Sequence, residues 1–179
     1  MCPVLAAMFA ALLLAGCAGQ AQRHGAPPQT PPQASAPAAH AAPQGGLAGR
    51  LSAALPGFPV EAVDGALRAV LPAERVFDAD AASLRAAGGL DLAPLARLLR
   101  SCHGCAASIV VYTDAIGPAE ANRQFSAARA AALLAGLQRE GVPAARLEGR
   151  GAGEDAPVAG QDTPEGRRAN RRIEITIRP

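Results

Sequence analysis

An acidic and a basic side chain lie near the two ends of a segment with the pattern of a strand followed by a helix. In VVYTDAIGPAEANRQFSAARA, residues 110–130, Asp114 stands at the turn and Arg129 comes fifteen residues later. No neighbouring His, Ser or Cys completes a catalytic set with this pair. Opposite charges that face a common gap suit a zwitterion, with an ammonium on one side and a carboxylate on the other. From spacing alone, the alternative is a structural salt bridge.

The elements around this pair determine whether the two side chains can meet. The run SIVVYT predicts a buried central strand that ends just before Asp114, and a helix is predicted between Pro118 and Gly141. On that helix, Asn122 and Arg129 share one side, and Arg129 falls at the edge of the apolar stripe. A strand end that faces the flank of a helix is a reasonable place for a cleft.

The remaining pattern alternates strands with helices. Two short apolar runs flank Asp64-Gly65, a strong signal for a hairpin with a two-residue turn, and Val76-Phe77 predicts another short strand. Asp91 is a predicted N-cap before leucines at helical spacing, and RRIEITIR alternates apolar and polar residues as a closing strand. The predicted fold is therefore α/β: a two-layer sandwich of a mixed sheet of about four strands with two main helices on one face, preceded by a short β-hairpin.

Composition excludes several function classes. All 17 basic residues are Arg, and the net charge is only +2, so neither nucleic acid nor an acidic membrane is an expected partner. His24 and His40 have no partners at metal-ligand spacing, and we expect neither a metal nor a cofactor. No pair of acids and no Cys–His block indicates an active site, so the sequence favours a protein that is not an enzyme.

The N-terminus carries an export signal. The apolar run of MCPVLAAMFAALLLAGC is too short to span a bilayer, and its end resembles the lipobox of bacterial lipoproteins. Residues 1–16 are predicted as a lipoprotein signal peptide, with lipid, palmitate included, on Cys17. Residues 17–46 are a predicted disordered Pro/Ala-rich tether, since they lack large apolar residues. Ala18 after the lipidated Cys favours the outer membrane, with the folded part in the periplasm.

A C-x-x-C pair lies between the first predicted long helix and the central strand. Cys102 and Cys105 could form a thiol-redox site, but such a site belongs at a helix N-terminus that follows a strand. Haem attachment requires His where Ala106 stands, and zinc would need three ligands crowded around His103. In the oxidising periplasm, a small structural disulfide is the favoured interpretation.

Four sequence blocks resemble one family. TDAIG, NRQFSAARA, GVPAARLEGRGAGEDAPV and TPEGRRANRRIEI follow one another in the order and spacing of the OmpA-like, peptidoglycan-associating domain. The resemblance places that domain at residues 76–179, with residues 47–75 as an N-terminal hairpin extension. It implies noncovalent binding of diaminopimelate in the peptidoglycan stem peptide, and the family's ligand-binding Asp and Arg fall on Asp114 and Arg129.

Further candidates surround that pair. Thr113 and Asn122 could supply neutral hydrogen bonds to the ligand, and three weaker candidates are Asp80 at the rim and Asn170 and Arg171 from the last strand.

Two positions depart from the family's pattern. Val111 stands where Gly is usual and is expected to narrow the space near the strand end. Phe125 replaces the usual Leu of the helical block.

The sequence therefore predicts an outer-membrane lipoprotein that binds peptidoglycan and tethers the membrane to the cell wall. The alternatives are an envelope assembly, secretion or motility component that uses the same domain as an anchor, and a periplasmic thiol-redox enzyme that uses Cys102 and Cys105. The sequence leaves open whether envelope proteins or a second copy of the chain also bind.

Overall fold

The computed structural model describes residues 46–86 and 89–179. The predicted signal peptide, the lipidation site Cys17 and the tether up to residue 45 lie outside the described residues. The described helices and strands are α1 Gly46–Ala54, β1 Val60–Val63, β2 Ala66–Pro72, α2 Leu92–Ser101, β3 Ala106–Tyr112, α3 Ala119–Arg139, β4 Leu147–Gly153, α4 Pro164–Asn170 and β5 Arg172–Arg178, with short 3₁₀ turns at Ala73–Arg75 and Ala144–Arg146. None of these helices is long and apolar enough to cross a membrane.

The strands form one five-stranded mixed sheet in the order β1-β2-β5-β3-β4. Strands β1 and β2 are the predicted hairpin, and Asp64 and Gly65 at its turn have φ angles of 50° and 76°. Positive φ at both turn residues matches the twist of the flanking strands, which explains why Asp-Gly is favoured there. Strand β5 lies antiparallel to β2 and β3, whereas β3 and β4 are parallel and are connected through α3.

The core lies between this sheet and the helices. Ile173, Ile175 and Ile177 on β5 are fully buried, as the alternation of the last strand predicted. They belong to one cluster with Leu95 of α2 and Leu133 of α3. Since burying one such side chain contributes roughly 1.5–3 kcal/mol, this cluster is what holds the helices on the sheet.

Helix α3 approaches edge strand β4 closely enough to require glycine. A Cβ at Gly151 would lie 2.1 Å from the backbone nitrogen of Ala127, far inside van der Waals contact. The buried Ser126 hydroxyl also accepts a hydrogen bond from the Gly153 backbone nitrogen at 2.9 Å. This joint fixes α3, and hence Arg129, relative to the end of β3.

The structure differs from the sequence predictions in three places. The hairpin is not separate from the sheet, because β2 pairs with β5 from Leu67 to Pro72 and both hairpin strands therefore belong to the five-stranded sheet. Val76 and Phe77 do not form a strand: a 3₁₀ turn precedes them, and Phe77 makes only an isolated bridge to Leu84. The third difference is in the helices, since neither α1 nor α4 was predicted. The predicted N-cap is confirmed, since the Asp91 side chain accepts from the Ala93 backbone nitrogen.

Candidate ligand-binding cleft

A cleft of about 930 Å³ lies at the C-terminal end of β3. Its walls come from residues 78–80, the first turns of α3 and the end of α4. Four arginines and four acidic residues line it: Arg85, Arg129, Arg167, Arg171, Glu74, Asp78, Asp80 and Asp114. Because these charges balance in number, the cleft suits a ligand that carries both signs rather than a simple anion or cation.

Asp114 is held in place on one wall. Its Oδ2 accepts a hydrogen bond from Arg171 Nη1 at 2.6 Å, and its Oδ1 accepts from the Ile116 backbone nitrogen at 3.2 Å. The side chain of Asp114 is 14% exposed and that of Arg171 is 39% exposed. The carboxylate is therefore oriented before any ligand arrives, and each oxygen keeps acceptor capacity because a carboxylate oxygen has two lone pairs.

Arg129 occupies another wall and is almost fully buried, with 7% of its surface exposed. Its Nε donates to the Ala81 carbonyl at 2.8 Å, and its Nη2 donates to the Asp78 carbonyl at 3.2 Å. A guanidinium has five N–H donors. The two hydrogens on Nη1 and the second hydrogen on Nη2 remain available. From these two adjacent nitrogens, Arg129 can donate two parallel hydrogen bonds to a ligand carboxylate.

The surroundings of Arg129 lower the pKa of its guanidinium overall. Desolvation lowers the pKa of its guanidinium, the carboxylate of Asp80 raises that pKa, and the nearby Arg171 lowers it. The side chain nevertheless stays a cation, since arginine does not lose its proton in proteins.

Asp114 and Arg129 line the same cleft but are not ion-paired with each other. The ion-pair partner of Asp114 is Arg171. The two residues therefore do not form the structural salt bridge that spacing alone allowed. Each has its own support, and each faces the shared space.

The two neutral candidates differ in whether they have an unused hydrogen-bond donor. Thr113 is 7% exposed, and its buried hydroxyl has no hydrogen-bond partner among the residues that the structure describes. The amide of Asn122 is already used, since Nδ2 donates to the Asp114 carbonyl at 3.3 Å and to Glu154 Oε2 at 2.9 Å. Thr113 is therefore the better donor, and Asn122 mainly joins α3 to the Asp114 turn.

The three weaker candidates lie in different surroundings. Asp80 lines the cleft and has a φ angle of 52°. Asn170 does not line it: its side chain is buried and its Oδ1 accepts from the Val158 and Ala159 backbone nitrogens at 2.8 and 3.0 Å. Asn170 and Arg171 also come from the end of α4, not from the last strand as the sequence suggested.

Phe77 and Phe125 are parts of the site that sequence reasoning did not assign. The Arg129 guanidinium carbon lies 4.1 Å from the centre of the Phe125 ring and 4.9 Å from that of Phe77. The sequence signal for this aromatic contact was Phe125 in place of the usual Leu. Val111, the other departure, is fully buried in the core and does not line the cleft, so it does not narrow it.

The opposite end of β3 contains the cysteine pair. Cys102 and Cys105 form the predicted disulfide, and Cys105 is fully buried. Arg146 donates to three backbone carbonyls there: from Nε to Cys105 at 2.6 Å, and from Nη2 to Leu99 at 2.6 Å and Cys102 at 2.7 Å. In residues 46–86 and 89–179, no group of three or more His, Cys, Asp and Glu side chains is placed to hold a metal ion.

The fold agrees with the comparisons with known proteins. The chain belongs to the OmpA family, which matches residues 76–171. It is 35% identical over 109 residues to the probable lipoprotein YiaD of Escherichia coli K12, across 61% of this chain and 50% of the relative. The chain thus spans about half the length of that relative.

Two solved structures share the fold. The cell wall anchor of the T6SS from Pseudomonas aeruginosa superposes with a TM-score of 0.63 at 27% identity, across 74% of this chain and 96% of that one. The peptidoglycan-associated lipoprotein from Burkholderia pseudomallei superposes with a TM-score of 0.53 at 28% identity, across 57% of this chain and 87% of that one.

Proposed function

We propose that this protein is a non-catalytic outer-membrane lipoprotein that binds peptidoglycan through diaminopimelate and so tethers the membrane to the cell wall. The observation that carries the proposal is the cleft in which Asp114 and Arg129 face one space without pairing to each other. The names of the similar proteins, a lipoprotein, a cell wall anchor and a peptidoglycan-associated lipoprotein, support it.

The chemistry of the ligand fits the cleft. The free head of diaminopimelate has an ammonium and a carboxylate on one carbon. Asp114 accepts hydrogen bonds from the ammonium, while Arg129 donates from Nη1 and Nη2 to the carboxylate. Thr113 lines the same cleft, and its hydroxyl has no partner among the described residues, so we assign it a neutral hydrogen bond to the ligand. Asp80, which also lines the cleft, contacts the ligand at the rim through its backbone.

The membrane anchor in this proposal is the lipid on Cys17. Two or three acyl chains on one Cys hold a protein durably on a membrane, since each buried CH₂ contributes roughly 0.8 kcal/mol. Cys17→Ser should release the protein from the membrane fraction after the cell wall is digested. Retention of that variant with outer membrane in the absence of cell wall would contradict the anchor.

Sedimentation with isolated sacculi tests the binding function. The non-lipidated Cys17→Ser chain should pellet with sacculi, and free diaminopimelate should compete. Ligand whose carboxylate is amidated or whose amine is blocked should compete poorly, because each change removes one of the two charges. Equal competition by the modified and unmodified ligands would contradict recognition of a zwitterion.

A second candidate function is an anchor within an envelope assembly such as a secretion or motility complex. The likeness to the T6SS cell wall anchor favours it, because that structure shares the fold and is 27% identical over the aligned 74% of this chain. This alternative would be supported by a stable complex of this chain with other envelope proteins. The complex should survive digestion of the cell wall and should be lost when the partner proteins are deleted. The thiol-redox alternative is disfavoured, because Cys105 is fully buried and the pair follows the end of α2 instead of preceding the start of a helix.

A further inference from the structure

The guanidinium of Arg129 contacts two phenylalanine rings. Both phenylalanines line the cleft: Phe125, four residues earlier on α3, is half-buried, and Phe77 is 1% exposed and also belongs to the core. The ring centres lie 4.1 Å and 4.9 Å from the Arg129 Cζ atom. Both distances are well within the range in which an aromatic ring attracts a cation.

This arrangement restrains Arg129 in two independent ways. The carbonyls of Asp78 and Ala81 accept hydrogen bonds from Nη2 and Nε of Arg129, and the two rings contact the cation. Burial disfavours the charge, and the negative potential of an aromatic ring offsets part of that cost. The remaining N–H edge, on Nη1 and Nη2, is therefore presented in one orientation before a ligand arrives.

We propose that Phe125 is a positioning residue that sets the ligand affinity of the cleft through Arg129. This inference rests on the proposed function. Leu, which is usual at this position in the family, fills a similar volume but has no π face, so it cannot hold the guanidinium in the same way. With Leu at position 125, Phe77 would be the remaining one of the two rings in contact with Arg129.

The expected effect is a moderate loss of affinity without loss of the fold. A cation–π contact in a partly desolvated site corresponds to about a 3- to 20-fold change in binding, so Phe125→Leu should bind sacculi that much more weakly. Phe125→Trp should bind at least as well as the unchanged chain. Phe58→Leu is the matched control, because Phe58 also contacts an arginine, Arg75 at 5.4 Å, but does not line the cleft.

The decisive test changes the ring electronics and keeps its shape. Phe125 is replaced by mono-, di- and trifluorinated phenylalanine in the full Cys17→Ser chain, and sacculus binding is titrated for each. Affinity should fall stepwise with fluorine content. In an Arg129→Gln background, where the cation is gone, the same series should bind alike. The urea midpoint should show the same pattern, falling with fluorination only when Arg129 is present.

The outcomes separate this inference from the proposed function. If the unchanged chain does not bind sacculi, the proposed function fails, and the role of Phe125 in affinity fails with it. If the unchanged chain binds, Asp114→Ala does not, and all fluorinated chains bind equally, only this inference is overturned. An equal fluorination effect in the Arg129→Gln background would also overturn it, because Phe125 would then act without Arg129.

Discussion

An arginine that donates to backbone carbonyls lies near each end of strand β3. The two arginines differ in whether they have hydrogen-bond donors left for a ligand. At the N-terminal end, Arg146 donates to three carbonyls beside the Cys102–Cys105 disulfide and has no ion-pair partner among the described residues. At the C-terminal end, Arg129 donates to only two carbonyls and lines a cleft of about 930 Å³ beside acidic groups.

This difference separates a structural joint from a binding site. Arg146 connects the end of α2 to the start of β4, and its acceptors are peptide groups that need donors in any case. Arg129 also fixes a backbone segment, but hydrogens on Nη1 and Nη2 still face a space that a ligand can enter. The same residue type therefore stabilises the fold at one end and, in our proposal, binds ligand at the other.

The largest expected effect is on ligand binding at the cleft end. Asp114→Ala and Arg129→Ala should each weaken sacculus binding roughly 30-fold or more, because loss of a charge-assisted partner costs on the order of 2–5 kcal/mol and 1.4 kcal/mol corresponds to about tenfold. Arg129→Lys should also bind poorly, since an ammonium cannot donate two parallel hydrogen bonds from a planar group.

The controls for these variants are on the exposed face of the same helix. Arg123→Ala and Arg139→Ala should bind normally, since both residues are exposed and Arg123 pairs only with Glu120 at the surface. Circular dichroism establishes that each variant is folded. Full sacculus binding by both Asp114→Ala and Arg129→Ala would contradict the assignment of the ligand-binding site to this cleft.

At the disulfide end, the effect should be on stability alone. Arg146→Ala leaves three part-buried carbonyls without their donor, so we expect the free energy of unfolding to fall by about 2–3 kcal/mol in urea titrations. Arg150→Ala, an exposed change on the neighbouring strand, should alter it by less than about 0.5 kcal/mol. If folded Arg146→Ala lost sacculus binding, the division between the two ends would be wrong.

Reduction of the disulfide should have a smaller effect on the same measurement. A ring closed between Cys102 and Cys105 removes little entropy from the unfolded chain, so reduction should lower the free energy of unfolding by about 2 kcal/mol at most. Urea titrations with and without reductant measure this, and mass analysis of the unreduced protein should find no free thiol at either position. Sacculus binding below the unfolding midpoint should be the same in both states.

The smallest expected effect returns to the cleft and concerns the support of Asp114. Arg171→Ala removes a half-exposed ion pair, so affinity should fall only about 2- to 5-fold. Arg178→Ala, at the exposed end of β5, is the matched control. A loss as large as that of Arg129→Ala would instead identify Arg171 as a residue that binds the ligand carboxylate directly.

Local features of this chain could be predicted because their causes are local. The Asp64-Gly65 turn follows from the positive φ angles that these residues tolerate, and the burial of Ile173, Ile175 and Ile177 follows from the two-residue period of a strand. The Asp91 cap follows from the unpaired N–H groups of a helix start. The resemblance of four sequence blocks to one family brought Asp114 and Arg129 together as candidates.

Contacts between distant segments were decided only by the tertiary structure. Arg171 pairs with Asp114 across 57 residues of chain, and Arg129 contacts the Asp78 carbonyl across 51. Val76 and Phe77 have the composition of a strand, but Phe77 is instead placed against Arg129. No local period encodes such choices, because they depend on which surfaces remain after the sheet and helices have packed. The sequence alone thus determined the five strands and the two long helices and singled out Asp114 and Arg129, and packing decided what each charge contacts.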